Sequence, residues 1–444
     1  MANLNALPKD SHETSASMQL YERGLHVFPD GTTRVTVERR PHPCYVRRGE
    51  GAYLIDVDGR RFLDLNNNFT TLIHGHGFRP VVEAVTAALC DGTCYANPTA
   101  SEIALGELLT TRIPAVEHIR FVNSGTEAVM FAIKAARAFT GKTAIARAEG
   151  AFHGAYDWAE TGQSNNNSNW GQAEHPYPVP AYRGAPPSVR EDVIIYQFND
   201  AANTEKRLNE SADRLACILI DPMPSRAGLL HPDPSFMEML GRVAKKHDIL
   251  IIADEVLNLR QGFHGASARH GLVPDLVALG KIIGGGFPIG AIGGRAEVME
   301  VFSALQGKPA LPQGGTFAAN PISMIAGYVA MEAMTPAKFD KLAAMGQNVR
   351  HEMAAKIKRR DATFSITGDA SLFRIHPRPT IPTDFRQAFL DVDGAAMMAR
   401  MSAFFYDRGI LLPNGAAACL STAMTQADID KIIAAFGDFL DVIS

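Results

Sequence analysis

The middle of the chain alternates short apolar runs with amphipathic stretches. Ile119–Val122, Thr143–Ala146, Val193–Tyr196, Cys217–Ile220, Leu250–Ala253 and Leu276–Leu279 are apolar on both faces and rich in β-branched residues. That is the pattern of strands buried between two helical layers. Between them the period lengthens. Ala132, Ala135, Ala136 and Phe139 recur at helical spacing, and Phe236, Leu240, Val243 and Ala244 line one side of a second helix. Strand and helix in alternation predict an α/β domain around a largely parallel sheet.

The ends read differently. Residues 1–20 form a polar leader, and Tyr45–Leu65 alternates apolar runs with turns, including Asp58-Gly59, which predicts small β-structure. Helical patterns follow near Val81–Cys90 and Ser101–Arg112. Residues 162–190 interrupt the alternation with an Asn/Ser-rich stretch and then several prolines, a long surface excursion. Beyond about residue 325 helices dominate, with a few strands around the proline-rich Pro377–Pro382. The expected organisation is an N-terminal segment, 1–70, contributing to a small domain; a large domain, 71–325; and a C-terminal small domain, 326–444.

Composition narrows the class. The 444 residues are 46% hydrophobic and 20% charged, ordinary for a globular protein and unlike a coiled coil, a collagen or a disordered chain. The net charge is −4 with no basic block, so neither nucleic acid nor a membrane surface is an expected partner. No run reaches the ~18 apolar residues of a spanning helix. Met1–Met18 carries Asp10 and Glu13 and lacks the apolar segment of a signal peptide. Five scattered cysteines (Cys44, Cys90, Cys94, Cys217 and Cys419) make a poor disulfide framework, so a reducing, cytoplasmic location is expected. Cys90 and Cys94 are expected to be small buried hydrophobes, because no second Cys/His pair completes a zinc set.

Three features carry chemistry. Asp254 follows Leu250-Ile251-Ile252-Ala253, so it stands at the C-terminal end of a buried strand, the edge where open α/β sheets bind ligands. Lys281 lies between Leu276–Gly280 and Ile282-Ile283-Gly284-Gly285-Gly286. Lysine is rarely buried, and desolvation lowers its pKa and frees its amine for attack on a carbonyl. Asn123-Ser124-Gly125-Thr126-Glu127 sits between a strand and a helix, where backbone N–H groups and the helix dipole favour an anion. Each feature alone has a plain reading: an ion pair for Asp254, a snorkelling side chain for Lys281, a helix cap for Ser124. Together they are the requirements of pyridoxal phosphate (PLP): a phosphate cup, an amine for the aldehyde and an acid for the pyridine nitrogen.

These residues also resemble a known family. Asn123–Ala128, Asp254-Glu255-Val256, Leu279–Gly286 and Gly315-Thr316-Phe317 are similar to the motifs of class III aminotransferases, PLP enzymes of fold type I. The likeness runs from about Tyr45 to the C-terminus and extends to glutamate-1-semialdehyde aminomutases and β-phenylalanine aminotransferases. It implies a large domain with a mostly parallel central sheet, plus a smaller α+β domain built from both chain ends. Lys281 is implied to carry the cofactor as a Schiff base and Asp254 to pair with the pyridinium. Val256 and Phe152 are implied to flank the ring, and Ser124, Gly125 and Thr126 to hold the phosphate. Thr316 is implied to reach the phosphate of a partner subunit's cofactor, giving a homodimer with the active site at its interface. Arg34, in Pro29–Arg34, is implied to grip a substrate carboxylate, a task that suits a guanidinium fork.

The resemblance implies ping-pong transfer from an amine donor, a β-amino acid among them, to a keto acid or ketone. Lys281 is implied to move the proton. His153, beside Phe152, reads as a supporting residue, with general base as the other reading. Tyr156 and Trp158 read as pocket lining or core, and Arg260 as matching the family's pattern, with a structural ion pair as the other reading. The chain departs from the pattern at Asn66–Thr70, at Asn414 and at Asp221-Pro222, where glutamate is usual. One rival is a 2,1-aminomutase acting within one substrate. Another is a nucleotide-dependent oxidoreductase using Gly284–Gly286 or Gly290–Gly294 as a phosphate loop, which leaves Lys281 without a role. A third is a non-catalytic scaffold.

Overall fold

The computed structural model describes residues 15–38 and 42–443; most of the polar leader, with Asp10 and Glu13, lies outside them. Where the leader was expected to continue, a helix runs over Ala16–Leu25, capped by Ser15. β1 (Val46–Glu50), β2 (Tyr53–Asp56) and β3 (Arg61–Asp64) then form an antiparallel meander. The Asp58-Gly59 signal lies between β2 and β3, with Gly59 at φ +84°.

The central sheet has seven strands: β4 (His118–Val122), β5 (Ala144–Ala148), β6 (Val193–Tyr196), β7 (Leu215–Ile220), β8 (Leu250–Asp254), β9 (Leu276–Gly280) and β10 (Gly290–Gly294). Their order is β4-β10-β9-β8-β7-β5-β6. Only β10 runs against the rest, antiparallel to both neighbours. β10 is one of the two glycine runs weighed as a phosphate loop; its backbone is instead committed to the ladder. Its glycines are a packing requirement, since a Cβ on Gly290 would stand 2.0 Å from the Ser124 carbonyl oxygen.

The apolar runs are buried on both faces because helices cover both. Ile218, Ile220, Ile251 and Ala253 pack with Phe236, Leu240 and Val243 of the helix Pro234–His247. Cys217, Leu219, Ile252 and Ala278 point the other way, onto Ala132 and Ala136 of Gly125–Thr140. Fully burying each large aliphatic side chain is worth roughly 1.5–3 kcal/mol.

The C-terminal residues add β11 (Ser365–Thr367), β12 (Leu372–His376), β13 (Ile410–Leu411) and β14 (Ala418–Cys419). β11, β12 and β14 form a small sheet, while β13 pairs in parallel with β3, so the two ends of the chain share one sheet. Helices Pro336–Arg360, Val392–Asp407 and Gln426–Ile443 contribute to a core that includes Leu63, Phe373, Phe405, Phe436 and Phe439. The excursion 162–190 remains mostly irregular. It is tied down by Arg386, which pairs with the buried Glu149 at 2.8 Å and donates to the carbonyls of Trp170 and Gly171.

One consequence of the sheet order governs function. The C-terminal ends of β4, β5, β7, β8 and β9 lie along one edge. They deliver residues 123–127, 149–154, 221–226, 254–256 and 281 to that edge.

Candidate active site

Asp254, the last residue of β8, is 5% exposed. Its Oδ2 lies 2.7 Å from His153 Nδ1, and its Oδ1 accepts the Val256 N–H at 3.0 Å. A carboxylate so placed is costly without such partners. His153 is itself buried, and among the described residues its Nε2 has no partner. Burial lowers the imidazole pKa, and Asp254 opposes that shift. Behind it the fully buried Arg147 donates to the carbonyls of Ala148, Ala151 and Ala159, its pKa pushed down to about 9 by burial. His153 therefore touches the carboxylate, and its influence runs through Asp254.

Lys281 begins the tight turn Lys281–Gly284 directly after β9, with φ +50°. A left-handed lysine costs of order 1–3 kcal/mol and persists only where the surroundings impose it. The imposing surface is the helix Pro321–Glu332, whose Gly327 lies so close that a Cβ there would fall 2.1 Å from the Ile283 carbonyl oxygen. The lysine pKa is pushed down to about 8, chiefly by burial; Asp254, Asp221 and Cys419 pull it up, and Arg260 pushes it further down. An amine in that state is available as a nucleophile or base near neutral pH.

At the end of β4, Ser124 caps the helix Gly125–Thr140, its Oγ accepting the Glu127 N–H at 3.1 Å. Glu127 in return accepts the Asn123 N–H at 2.8 Å. The first-turn N–H groups of Gly125 and Thr126 have no partner within the helix. A Cβ on Gly125 would stand 2.7 Å from Val256 Cγ1, so only glycine lets the turn approach the Asp254 segment. Val256 also faces Gly280, where a Cβ would lie 3.2 Å away. Phe152 is 50% exposed on the loop after β5, and the neighbouring Ala155 N–H reaches Thr126 Oγ1 at 3.4 Å.

The fold thus gathers Ser124, Gly125, Thr126, Phe152, Asp254, Val256 and Lys281 at one sheet edge. Thr316 is exposed on a nearby turn, its carbonyl accepting Cys94 Sγ at 3.7 Å. Arg34 is exposed on the N-terminal segment, donating to Asn68 Oδ1 at 3.1 Å. Two readings need correction. Cys90 and Cys94 are exposed rather than buried; the helix that was expected to reach Cys90 stops at Ala88. Among the described residues Arg260 makes no ion pair; it donates to Ser371 Oγ, the Thr70 carbonyl and the Leu420 carbonyl. Tyr156 and Trp158 belong to the packed layer around Arg137, whose guanidinium lies 4.7 Å from the Trp158 ring centre.

Two groups stood out in the sequence only as departures from the family pattern. Asp221 is buried at the end of β7 and takes hydrogen bonds from Met223 N–H and Asn258 Nδ2. Burial first, and then Asp254, raise its pKa well above the carboxylate range. Residues Asn67, Asn68, Phe69 and Thr70 all have positive φ, between 47° and 72°, a left-handed turn beside Arg34. The asparagine triplet was its available signal, since asparagine tolerates that region.

The family model for aminotransferase class III matches residues 35–376. The chain belongs to the class III aminotransferases. A glutamate-1-semialdehyde 2,1-aminomutase from Laribacter hongkongensis is 32% identical over 427 residues, 94% of this chain and 97% of that protein. An ω-transaminase from Sphaerobacter thermophilus is 43% identical with a TM-score of 0.94, covering 96% of this chain and 97% of the other. A β-phenylalanine aminotransferase from Variovorax paradoxus is 30% identical with a TM-score of 0.86, covering 96% and 94%.

The class III aminotransferases are PLP enzymes, so this chain is a PLP-dependent transaminase and the oxidoreductase and scaffold readings fall. The site suits the cofactor on its own terms. It offers a depressed lysine, a buried carboxylate fixed by two donors and a helix start whose glycine clears space. Among the described residues no helix is long and apolar enough to cross a membrane, and no cluster of metal-ligating side chains occurs.

Proposed function

We propose that this aminotransferase moves the amino group of a carboxylate-bearing donor, β-amino acids among them, to a keto acid or ketone by a ping-pong reaction. The observation that carries this reading is the Lys281 amine, held near neutrality at about 8 beside a buried Asp254 that is itself held by His153. PLP, when bound, supplies an electrophilic carbon for the amine and an electron-withdrawing ring. Asp254, fixed by His153 and the Val256 N–H, would hold a proton on the ring nitrogen. Lys281 would hold the cofactor through Nζ, and its amine, once free, would take the proton from the amine-bearing carbon of the substrate and give it up again. Ser124, Gly125 and Thr126 bind the phosphate, and Phe152 and Val256 flank the ring. Arg34, oriented by Asn68, pairs with the substrate carboxylate.

The same reading includes a homodimer. A groove of about 850 Å³, lined by Ile103, Phe121, Leu305 and Gly315, runs beside Thr316. Leu305 and Phe317 stand 94% and 60% exposed next to it. A second copy covers this apolar face and receives Thr316 at its cofactor phosphate. Within each copy, residues 1–70 and 326–444 form the small domain and 71–325 the large one, a division supported by the pairing of β3 with β13. All five cysteines are free, which favours a cytoplasmic setting.

The test is direct. Protein loaded with PLP should be yellow, and borohydride should bleach it and leave a pyridoxyl group on the Lys281 peptide in mass spectra. Loaded protein should then convert α-, β- or ω-amino donors in one half-reaction and need pyruvate or 2-oxoglutarate to continue. Label on another lysine would overturn the assignment. The curated relative named an aminomutase supports a second reading. Sustained turnover of glutamate-1-semialdehyde with no added keto acid would establish it.

A further inference from the structure

The arginines around this edge are almost all committed. Arg147 and Arg260 donate to buried carbonyls, and Arg386 is paired with Glu149. Arg374 donates to the carbonyls of Ser225 and Arg226 at 2.8 and 3.0 Å. Arg226 is different. It stands on the loop leaving β7, at the same edge as Asp254 and Lys281, and its side chain is exposed. Its guanidinium carbon lies 5.7 Å from the centre of the Phe152 ring. Among the described residues no carboxylate pairs with it, and the partly covered stem of the side chain lowers its pKa.

The loop that carries Arg226 is rigid. Besides the Arg374 contacts, Leu229 N–H closes onto the Pro224 carbonyl at 2.9 Å. Thr367 Oγ1 of β11 donates to the Gly228 carbonyl at 2.8 Å, and His376 of β12 lies 3.1 Å from the same oxygen. The main chain below Arg226 is therefore pinned by strands of the small sheet. A planar cation over an aromatic face is oriented without losing its outward N–H donors. What such a fork lacks is a two-oxygen anion.

We propose that Arg226 binds a carboxylate of the substrate above the exposed side of Phe152, an anion subsite distinct from Arg34. This rests on the aminotransferase reading and sharpens it: the substrates are amino acids and keto acids, in preference to plain amines and ketones. Arg226 acts as a specificity residue. It moves no proton, and its effect is confined to substrates that carry the anion.

The experiment compares two donors that differ by that anion, 3-amino-3-phenylpropanoate and 1-phenylethylamine, in the half-reaction of the PLP-loaded enzyme. Arg226→Gln should lower the ratio of kcat/KM for the acid over the amine by about 10-fold or more, the scale of a lost charged hydrogen bond. Arg226→Lys should restore part of it. Independently, calorimetry should show 3-phenylpropanoate and 2-oxoglutarate binding the unsubstituted enzyme and losing about the same factor with Arg226→Gln. Equal losses for both donors, unaltered acid binding, or no acid binding by the unsubstituted enzyme would each overturn the proposal. If no donor reacts but acid binding still depends on Arg226, the aminotransferase reading fails and the anion subsite stands.

Discussion

The two sides of the site are built on opposite plans. Around Asp254 and Lys281 the groups are confined: His153 and the Val256 N–H hold the carboxylate, and Gly125, Gly280 and Gly327 allow backbone to close in from several directions. On the other side, Arg34 and Arg226 are exposed, and Asn67–Thr70 is a left-handed turn of non-glycine residues. The difference separates what must be invariant in the chemistry from what selects the molecule. Proton transfer needs fixed groups in a dry setting. Choice among substrates needs charged groups with donors still available.

Substitutions should respect that division. The largest effect is expected for Lys281→Ala, which removes the cofactor attachment and the proton carrier together. Single-turnover kinetics should show a loss of ~10²–10⁴-fold or more. A variant that retained most of its rate would erase the contrast between the two sides. Asp254→Asn comes next, with about a 10²–10³-fold fall in kcat, since it removes one preorganised charge without changing shape. KM should move far less than kcat.

A smaller, sharper test concerns the amine itself. In protein without cofactor, labelling of Lys281 by an acylating reagent should rise as pH climbs through about 8 and then level off. The lowered pKa means the uncharged form dominates above that value, so the gain from pH 7 to pH 9 is about tenfold. Labelling that kept rising to pH 10.5 would mean the burial argument is wrong. Arg34→Ala should raise KM for carboxylated substrates by several-fold to about 10-fold while kcat changes little. Steady-state kinetics on an acid and a matched amine would check it.

Legibility in the sequence followed the same divide. Lys281 and Asp254 were readable because a charged residue directly after a β-branched run is chemically expensive and therefore informative. The parallel strands were readable for the same reason, being apolar on both faces. β10 was not, because its glycines carry no hydrophobic signal and the strand is defined by the slot it fills. His153 could be noticed but not placed: β7 lies between β5 and β8 in the sheet, and nothing along the chain says that a residue beyond β5 reaches across to Asp254. Arg226 left no trace either. One exposed arginine looks like any other until its neighbours prove to lack a carboxylate. Cys90 misled because a free cysteine is usually buried, whereas here the helix ends at Ala88 and the short turn after it leaves the thiol exposed.

The parallel pairing of β3 with β13 has an effect on how the molecule comes into being. Leu63 and Asp64 leave the ribosome long before their strand partners Ile410 and Leu411. Until those partners arrive the meander presents an unpaired edge, the kind that invites pairing with the wrong chain. The sheet shared by β3 and β13 closes only when that later segment arrives, so a chain cut before Ile410 leaves β3 with an open edge.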